Sequence, residues 1–328
     1  MSGPTMRALL PSAEGPKLAQ APRPEPGPGQ VLVRVRAAPL NRADLAMLRG
    51  ASHGTVGGKG APLGLEWAGE IAALGEGVSG WKIGDQVMSA GGGGFAEYAL
   101  GHSALIHAIP EGLDFARAAA MPVAIQTMHD AITTHGALAA GQSVLILGAS
   151  SGVGLMGLQI ARELGAGLVI GTSSSPDKAA RLPQFGADVV VSTSEPGWVE
   201  AVLAATDGKG VDLVVDMLAG PLFNDTLRAT KIGGRIVNVG RMAGERGEVD
   251  FDLHSMRRIT YVGVTFRTRS GREVIELVGK ARAALAPALA AGRLTIPVDA
   301  CFDLADAPAA FAKMSANRHF GKIVLTID

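Results

Sequence analysis

The sequence predicts an α/β protein that combines a compact, barrel-like β domain with a doubly wound, parallel-sheet domain. Up to about residue 122, short segments of strand character are separated by glycine and proline signals, as in small β domains. From about residue 123, apolar strands alternate with helical segments, which is the pattern of βαβ units. A glycine-rich turn at 148–154, between one such strand and a helix, is the third observation.

The predicted β domain is built from short strands. The segment Val31–Arg36 alternates apolar and charged side chains for part of its length, as a half-exposed strand does. The segment Gln20–Gly29 holds four prolines and two glycines and is predicted to be an extended connection. The run Gly91–Gly94 leads into a strand and not into a helix, so we predict a turn there and no phosphate loop. Further strands are predicted at 65–74, 86–90 and 95–100.

The predicted doubly wound domain shows a regular alternation of strand and helix. Apolar strand segments recur at 144–147, 168–170, 189–191, 213–215 and 235–239, and helical segments include 177–185 and 198–206. A long alanine-rich helix is predicted over 273–291, and the final strand, Lys322–Thr326, has the half-exposed pattern of the N-terminal region. We therefore expect the chain to return to its first domain, with one domain at 1–122 plus 264–328 and the other at 123–263.

The glycine-rich turn predicts a dinucleotide site. Strand, glycine turn and helix in this order place backbone N–H groups and a helix N-terminus where a pyrophosphate binds. Read as G-x-G-x-x-G, the window has Ala149 and Ser151 in place of its first two glycines and Gly154 as its third. The alternative is a glycine-rich turn without a ligand. The candidate cofactor-binding residues of the turn are Gly148, Ala149, Ser150, Ser151, Gly152, Val153 and Gly154.

The end of the second strand of this domain indicates which dinucleotide is bound. A ribose with a free 2′-hydroxyl is usually held by an acid about 20 residues beyond the glycine turn, and the segment 171–175 holds none. Hydroxyls followed by cations suit a 2′-phosphate, because hydroxyls donate and cations neutralise. The alternative is a polar turn and helix cap. We predict NADPH, bound by Thr172, Ser173, Ser174, Lys178 and Arg181, with Asn238 and Gly240 closing a strand near the nicotinamide carboxamide.

Composition excludes several classes of partner. The 328 residues are 47% hydrophobic with a net charge of zero and no basic cluster, so nucleic acid and membrane surfaces are not expected partners. No apolar run reaches transmembrane length, and the N-terminus lacks a signal-peptide core. The single cysteine, Cys301, excludes an internal disulfide and is predicted to be packed among apolar neighbours. We expect a soluble, cytoplasmic protein.

The chain resembles the zinc-independent quinone oxidoreductase branch of the medium-chain dehydrogenase/reductase superfamily. The motifs follow in family order: Asn-x-x-Asp at Asn41–Leu45, Gly-x-Glu-x-x-Gly within Leu63–Gly69, Lys-x-Gly-Asp-x-Val within Trp81–Met88, the glycine turn at Gly148–Gly154 and the closing strand at His319–Leu325. The Asn-Arg-Ala-Asp and Ser-Gly-Val-Gly forms are similar to those of the NADPH-dependent quinone oxidoreductases of the tumour-suppressor-induced type.

This resemblance implies a GroES-like domain and a Rossmann domain, with the cofactor in the cleft, and commonly a homodimer. Zinc-dependent relatives hold a catalytic ion with cysteine and histidine ligands. At the matching positions this chain has Asn41 near the first ligand and Leu65 in place of the histidine, so we expect no metal. Zinc stabilises developing alkoxide charge by several kcal/mol. Without it, an electron-poor acceptor such as a quinone or an α,β-unsaturated carbonyl is favoured, because its own π system delocalises that charge.

The polar residues predicted to contact the acceptor are Asn41, Asp44 and Thr127, the last carried over from the family segment that follows Pro122. Asn41 and Asp44 also suit a helix cap and a first-turn acid, and one residue can do both. The leading hypothesis is an NADPH-dependent quinone reductase, and an enone or enoyl-thioester reductase is its rival within the same class. A cofactor-binding structural or RNA-binding protein with little catalysis is the alternative of another class, against which the neutral net charge argues.

Overall fold

The computed structural model describes residues 3–54, 56–58 and 60–328, which pack into two compact units. The first unit comprises Met1–Val123, Phe266–Arg282 and Thr295–Asp328, and the second comprises Ala124–Thr265 and Ala283–Leu294. Across the described ranges, no helix is both long enough and apolar enough to cross a membrane.

The strands follow the chain as β1 (Thr5–Ser12), β2 (Gly15–Pro22), β3 (Gln30–Pro39), β4 (Ser52–His53), β5 (Val56–Gly57), β6 (Glu66–Leu74), β7 (Gln86–Ala90), β8 (Tyr98–His102), β9 (His107–Ala108), β10 (Ser143–Leu147), β11 (Leu168–Thr172), β12 (Val189–Val191), β13 (Val211–Asp216), β14 (Thr230–Asn238), β15 (Thr260–Gly263), β16 (Val298–Asp303) and β17 (Lys322–Thr326).

The α-helices are α1 (Arg42–Met47), α2 (Phe115–Ala119), α3 (Pro122–His129), α4 (Gly152–Glu163), α5 (Pro176–Ala179), α6 (Trp198–Ala204), α7 (Phe223–Ala229), α8 (Phe251–Arg257), α9 (Gly271–Ala290) and α10 (Ala307–Ser315). A π-helical segment, Asp130–His135, continues α3, and short 3₁₀ turns lie at Leu182–Phe185, Gly220–Leu222 and Leu304–Asp306.

A largely antiparallel sheet organises the first unit. Its strand order is β16-β17-β3-β6-β7-β9, and β8 pairs with β3 outside this path. Alternate residues of a strand point to the same face, so Val31, Val33 and Val35 share one face of β3. All three are buried in one apolar cluster with Trp67 and Phe95. This cluster forms the core on which the polar residues at the ends of β3, β6 and β17 are placed.

A six-stranded sheet in which every pair is parallel organises the second unit. Its strand order is β12-β11-β10-β13-β14-β15. The order reverses between β10 and β13, and in open α/β sheets the crevice at the carboxyl ends of two such strands is where ligands bind. The buried residues Leu145, Val214 and Ile236 show why these strands read as apolar runs. The predicted α/β class, a β-rich domain and a doubly wound parallel sheet, is confirmed.

Three local predictions are corrected by the structure. The strand predicted at 95–100 is present but begins later, as β8 (Tyr98–His102), and Ala96 before it forms an isolated bridge with Ala8. The helix predicted over 177–185 is divided into α5 and a 3₁₀ turn that contains Pro183, which has no N–H to donate to a continuous helix. Cys301 is exposed and not packed, because it lies on the outward-facing register of β16.

Candidate functional site

The glycine turn leaves β10 at the switch point of the parallel sheet. Gly148 has a φ of 76°, in the region that favours glycine, and its N–H donates to Thr172 Oγ1 at 3.0 Å. The N–H of Ala149 donates to the Thr172 carbonyl oxygen at 2.9 Å. The neighbouring strand β11 therefore fixes the start of the turn through both the side chain and the backbone of one buried threonine.

Ser151, the residue that departs from the glycine pattern, is the N-cap of α4. Its hydroxyl oxygen accepts from the N–H of Gly154 at 3.1 Å, and its O–H donates to the Gly148 carbonyl at 3.0 Å. A serine at this position thus closes the turn and satisfies one of the helix N–H groups that have no intrahelical partner. Ser151 has extended backbone angles (φ −79°, ψ 158°), so a side chain is tolerated here.

The turn also packs closely against α4 and leaves N–H groups of the helix unpaired within it. A Cβ added to Gly154 would lie 2.6 Å from the Ala149 Cα, so only glycine permits this close approach of helix and turn. The N–H groups of Gly152 and Val153 belong to the first turn of α4, where helices have no internal acceptor. These groups fit a pyrophosphate, and the residues at the turn therefore fit the dinucleotide that the sequence predicts.

The polar residues at the end of β11 divide into two groups. Thr172 and Ser173 are buried, and Ser173 Oγ lies 3.2 Å from Ser150 Oγ and accepts from the N–H of Ser175 at 3.3 Å. Their hydroxyls therefore hold the turn in place. Ser174 and Arg181 are exposed and Lys178 is half-buried. These last three are the residues of the predicted 2′-phosphate set that face solvent.

The carboxyl ends of β13 and β14 provide a third part of the second unit's candidate site. Asn238 is buried, its Nδ2 donates to the Gly240 carbonyl at 2.8 Å, and its own carbonyl accepts from the N–H of Val264 at 3.0 Å. A Cβ on Gly240 would lie 2.6 Å from the Met217 carbonyl oxygen. A cavity of about 340 Å³ borders Asn238 and is also lined by Tyr261.

The first unit brings Asn41 and Asp44 together. Asp44 Oδ2 accepts from the backbone N–H of Asn41 at 2.6 Å, so Asp44 does supply the first-turn acid of α1. The Asn41 side chain is engaged elsewhere. Its Nδ2 donates to Glu66 Oε1 at 2.9 Å, and its Oδ1 accepts from Lys322 Nζ at 2.6 Å. Lys322 Nζ also donates to Glu66 Oε1 at 2.6 Å.

Burial gives this cluster an unusual electrostatic state. Asp44, Glu66 and Lys322 are at most 4% exposed, so two carboxyl groups and one ammonium lie away from solvent. Burial is the main cause that raises the pKa of Asp44 to about 7, and the nearby Glu66 carboxylate raises it further. The Asn41 N–H and the Lys322 ammonium lower it in part.

Glu66 and Lys322 complete this cluster and were not among the predicted site residues. Glu66 Oε2 accepts from the N–H of Val123 at 2.8 Å, in the first turn of α3, so one carboxylate organises three groups. The signal was present in the sequence, because Glu66 is a lone acid in the apolar segment Leu63–Gly69 and Lys322 opens a strand that is otherwise apolar. A charge in such a segment requires a buried partner.

Thr127, the third predicted acceptor-contacting residue, lies on α3 and is half-buried; it belongs to the second unit. His129 of the same helix is buried, and its carbonyl accepts from Thr133 Oγ1 at 2.6 Å. Within residues 3–54, 56–58 and 60–328, no group of three or more histidine, cysteine, aspartate or glutamate residues is arranged to hold a metal ion.

Comparisons with known proteins agree with this architecture. Residues 27–111 match the family described as alcohol dehydrogenase GroES-like domain, and residues 152–280 match the family described as zinc-binding dehydrogenase. The quinone oxidoreductase of Rattus norvegicus is 32% identical over 260 residues, which are 78% of this chain and 77% of that protein.

Two further similarities concern synthases and reductases. The phenolphthiocerol synthesis polyketide synthase type I Pks15/1 of Mycobacterium marinum is 34% identical over 306 residues, 91% of this chain. The chain spans only 14% of the length of that synthase. The crystal structure of CurK enoyl reductase has a TM-score of 0.85 and 25% sequence identity, with 99% of each chain covered.

Proposed function

Because the chain belongs to the medium-chain dehydrogenase/reductase superfamily, a family of oxidoreductases that bind a nicotinamide cofactor, we propose that it is an NADPH-dependent reductase that transfers hydride to a quinone without zinc. The dinucleotide supplies the hydride when it is bound. Gly152 and Val153 would bind its pyrophosphate through their N–H groups, and Asn41 would donate a hydrogen bond to the acceptor.

The composition of the Asn41 cluster is the observation that carries this proposal. At the two positions where zinc relatives carry a cysteine and a histidine, this chain has Asn41, whose side chain is bound by Glu66 and Lys322, and Leu65, which is buried. Neither an amide held in this way nor a leucine is a zinc ligand. An acceptor that delocalises its own charge is therefore the best match, and a quinone does so most effectively.

NADPH consumption with a panel of acceptors tests the substrate class. The panel is 1,4-benzoquinone, 9,10-phenanthrenequinone, methyl vinyl ketone and crotonyl-CoA, each with NADPH and with NADH. Turnover of the quinones that survives treatment with EDTA is the expected result. Turnover of crotonyl-CoA alone contradicts the proposal, and so does activity that EDTA removes and added Zn²⁺ restores.

A second candidate is a reductase of enoyl thioesters. The similarity to CurK enoyl reductase over 99% of the chain favours it, and the same hydride geometry serves both reactions. The two candidates differ in the size and charge of the acceptor, because a thioester of coenzyme A carries a long phosphorylated arm. A ratio of kcat/KM for crotonyl-CoA to that for 1,4-benzoquinone well above one would select this candidate.

The preference for NADPH rests on three exposed or half-buried residues in the segment that follows β11. Ser174, Lys178 and Arg181 supply a hydroxyl and two cations for a 2′-phosphate, and the strand end has no acid for a free 2′-hydroxyl. The Lys178→Ala/Arg181→Ala variant should raise the KM for NADPH far more than that for NADH. Lys209→Ala, a change at an exposed lysine of the same unit, is the matched control. Equal effects on both cofactors contradict the assignment.

We also propose that the protein is a homodimer that associates through the β15 edge of the second unit's sheet. This edge strand pairs on one side only, with β14, and Tyr261 on it is 45% exposed. Phe251 and Met256 of the neighbouring α8 are 76% and 69% exposed, so the apolar surface extends beyond the strand. Light scattering after gel filtration should give twice the chain mass, and Tyr261→Arg should reduce it to the monomer mass.

A further inference from the structure

We propose that Lys322 is a positioning residue that acts through Asn41. On this proposal, which rests on the proposed quinone reductase function, the Lys322 ammonium polarises the Asn41 amide so that its second Nδ2–H donates more strongly to the acceptor oxygen. The same ammonium compensates the two carboxyl groups of the cluster, which otherwise oppose negative charge on that oxygen.

The geometry places the ammonium at the amide oxygen. Lys322 opens β17 and is 4% exposed, and its Nζ lies 2.6 Å from both Asn41 Oδ1 and Glu66 Oε1. Asn41 is 8% exposed and Glu66 is fully buried. Asn41 is therefore the least buried of the three, and on this proposal the acceptor meets the cluster at the amide.

The hydrogen-bonding capacity of the Asn41 amide leaves one donor for a ligand. Its oxygen accepts from Lys322, and one of its two N–H bonds donates to Glu66 Oε1. These contacts fix the plane of the amide and the direction of the second N–H. A side chain fixed in this way loses little entropy when it binds the acceptor, which is the condition for effective electrostatic stabilisation.

The charges of the cluster decide how strong this donor is. A cation at the amide oxygen draws electron density from the nitrogen, and hydrogen bonds in series polarise one another in a low-dielectric interior. Glu66 acts in the opposite direction, because its carboxylate accepts from the other N–H of the same amide. Lys322 binds the same Glu66 oxygen and offsets that effect. Loss of Lys322 therefore removes the polarisation and exposes the acceptor to uncompensated negative charge.

The consequence for the reaction depends on the acceptor. Reduction adds one hydrogen and two electrons to the quinone as hydride, and its oxygen carries a negative charge until a proton from water neutralises it. A strongly electron-poor quinone spreads this charge through its ring, whereas a methylated quinone relies more on the Asn41 N–H. The ratio of kcat for tetramethyl-1,4-benzoquinone to kcat for 1,4-benzoquinone therefore reports the strength of the donor.

The test measures this ratio in variants of the full chain with saturating NADPH. Lys322→Met should lower it at least tenfold while the KM for NADPH changes less than twofold. Removal of one partner of a buried ion pair destabilises proteins strongly, so the double variant Lys322→Met/Glu66→Gln, which leaves no unpaired charge at this pair, is measured in parallel and should give a ratio well below that of Glu66→Gln alone. Lys322→Arg keeps the positive charge and should retain most of the ratio of the unmodified protein. Glu66→Gln alone should raise the ratio.

The control is Lys313→Met. Lys313 forms an ion pair with Asp299 at 2.8 Å on the surface of the same unit, and its loss should leave the ratio unchanged. A folded double variant with the same ratio as Glu66→Gln overturns the role of Lys322 and leaves the proposed function standing. Absence of quinone turnover by the unmodified protein overturns the proposed function and this role together.

Discussion

Replacement of Asp44 by asparagine should stabilise the protein at pH 8 and have a much smaller effect at pH 5. Burial raises the pKa of Asp44 from 3.8 to about 7 in the folded chain, whereas the unfolded chain exposes the carboxyl group to water. Between pH 3.8 and about pH 7 the folded state therefore holds a proton that the unfolded state has released. Stability therefore falls as the pH rises through this window, and the full loss is present above pH 7.

The magnitude follows from the width of the window. Each pKa unit corresponds to about 1.4 kcal/mol, so the shift of Asp44 amounts to roughly 4 kcal/mol in total. Roughly 3 kcal/mol of it falls between pH 5 and pH 8. The asparagine side chain is neutral at every pH and has nearly the shape of the protonated acid, and its amide oxygen can keep the hydrogen bond from the Asn41 N–H. The variant should therefore differ from the unmodified protein only in lacking the free-energy cost of ionising Asp44 in the folded state.

Urea unfolding, followed by circular dichroism at half-unit steps from pH 5 to pH 8.5, measures the effect. The informative quantity is the free energy of unfolding of Asp44→Asn minus that of the unmodified protein, because other titrations cancel in this difference. It should rise by roughly 3 kcal/mol across the range and level off above about pH 7.5. A change in the urea m value would indicate altered compactness and is checked at each pH.

Asp85→Asn is the matched control, because it removes a carboxyl group with the opposite shift. Hydrogen bonds from Lys82 hold the pKa of Asp85 below its usual range, so its charged form is already favoured across the measured pH range. The free energy of unfolding of Asp85→Asn minus that of the unmodified protein should stay constant from pH 5 to pH 8.5. A constant difference for Asp44→Asn as well, or a falling one, would refute the reasoning that burial dominates at Asp44.

Three further predictions concern the glycine turn. Thr172→Val removes the acceptor of the Gly148 N–H and should destabilise the chain by about 1–3 kcal/mol in urea unfolding, whereas Thr172→Ser should be close to neutral. Ser151→Ala removes the N-cap of α4 and should reduce stability by about 1 kcal/mol, while Ser151→Gly loses only a few tenths. Gly154→Ala should weaken NADPH binding at least tenfold in fluorescence titrations, and Gly157→Ala, whose new methyl group meets only a flexible side chain, should bind nearly as the unmodified protein does.

The elements that could be predicted best are those defined by a local pattern of apolar and turn residues. The strands β7, β12 and β17 have the predicted bounds, because an apolar run ended by turn residues defines each of them. The position of the glycine turn was predicted for the same reason. The role of Ser151 was not predicted, because the glycine pattern shows only that a serine stands where a glycine is usual. It does not show that the serine hydroxyl caps α4 and closes the turn.

The polar cluster of the first unit illustrates what local pattern does not contain. Asn41 and Asp44 are three residues apart, so their hydrogen bond could be expected from helix capping. Lys322 and Glu66 are 256 residues apart, and their contact depends on where β17 and β6 lie in the folded sheet. Cys301 was predicted to be packed because its neighbours in the sequence are apolar. In an edge strand, however, alternate residues face outward, and apolar neighbours do not indicate which residues these are.

The Lys322–Asn41 contact also has a consequence for the engineering of a metal site here. Substitution of Asn41 by cysteine and of Leu65 by histidine would restore the two ligand types of the zinc-dependent relatives, yet Lys322 Nζ would remain within reach of the first of them. A buried ammonium at that distance repels a divalent cation and competes for a thiolate. A zinc site engineered at these two positions would therefore need a further substitution, at Lys322.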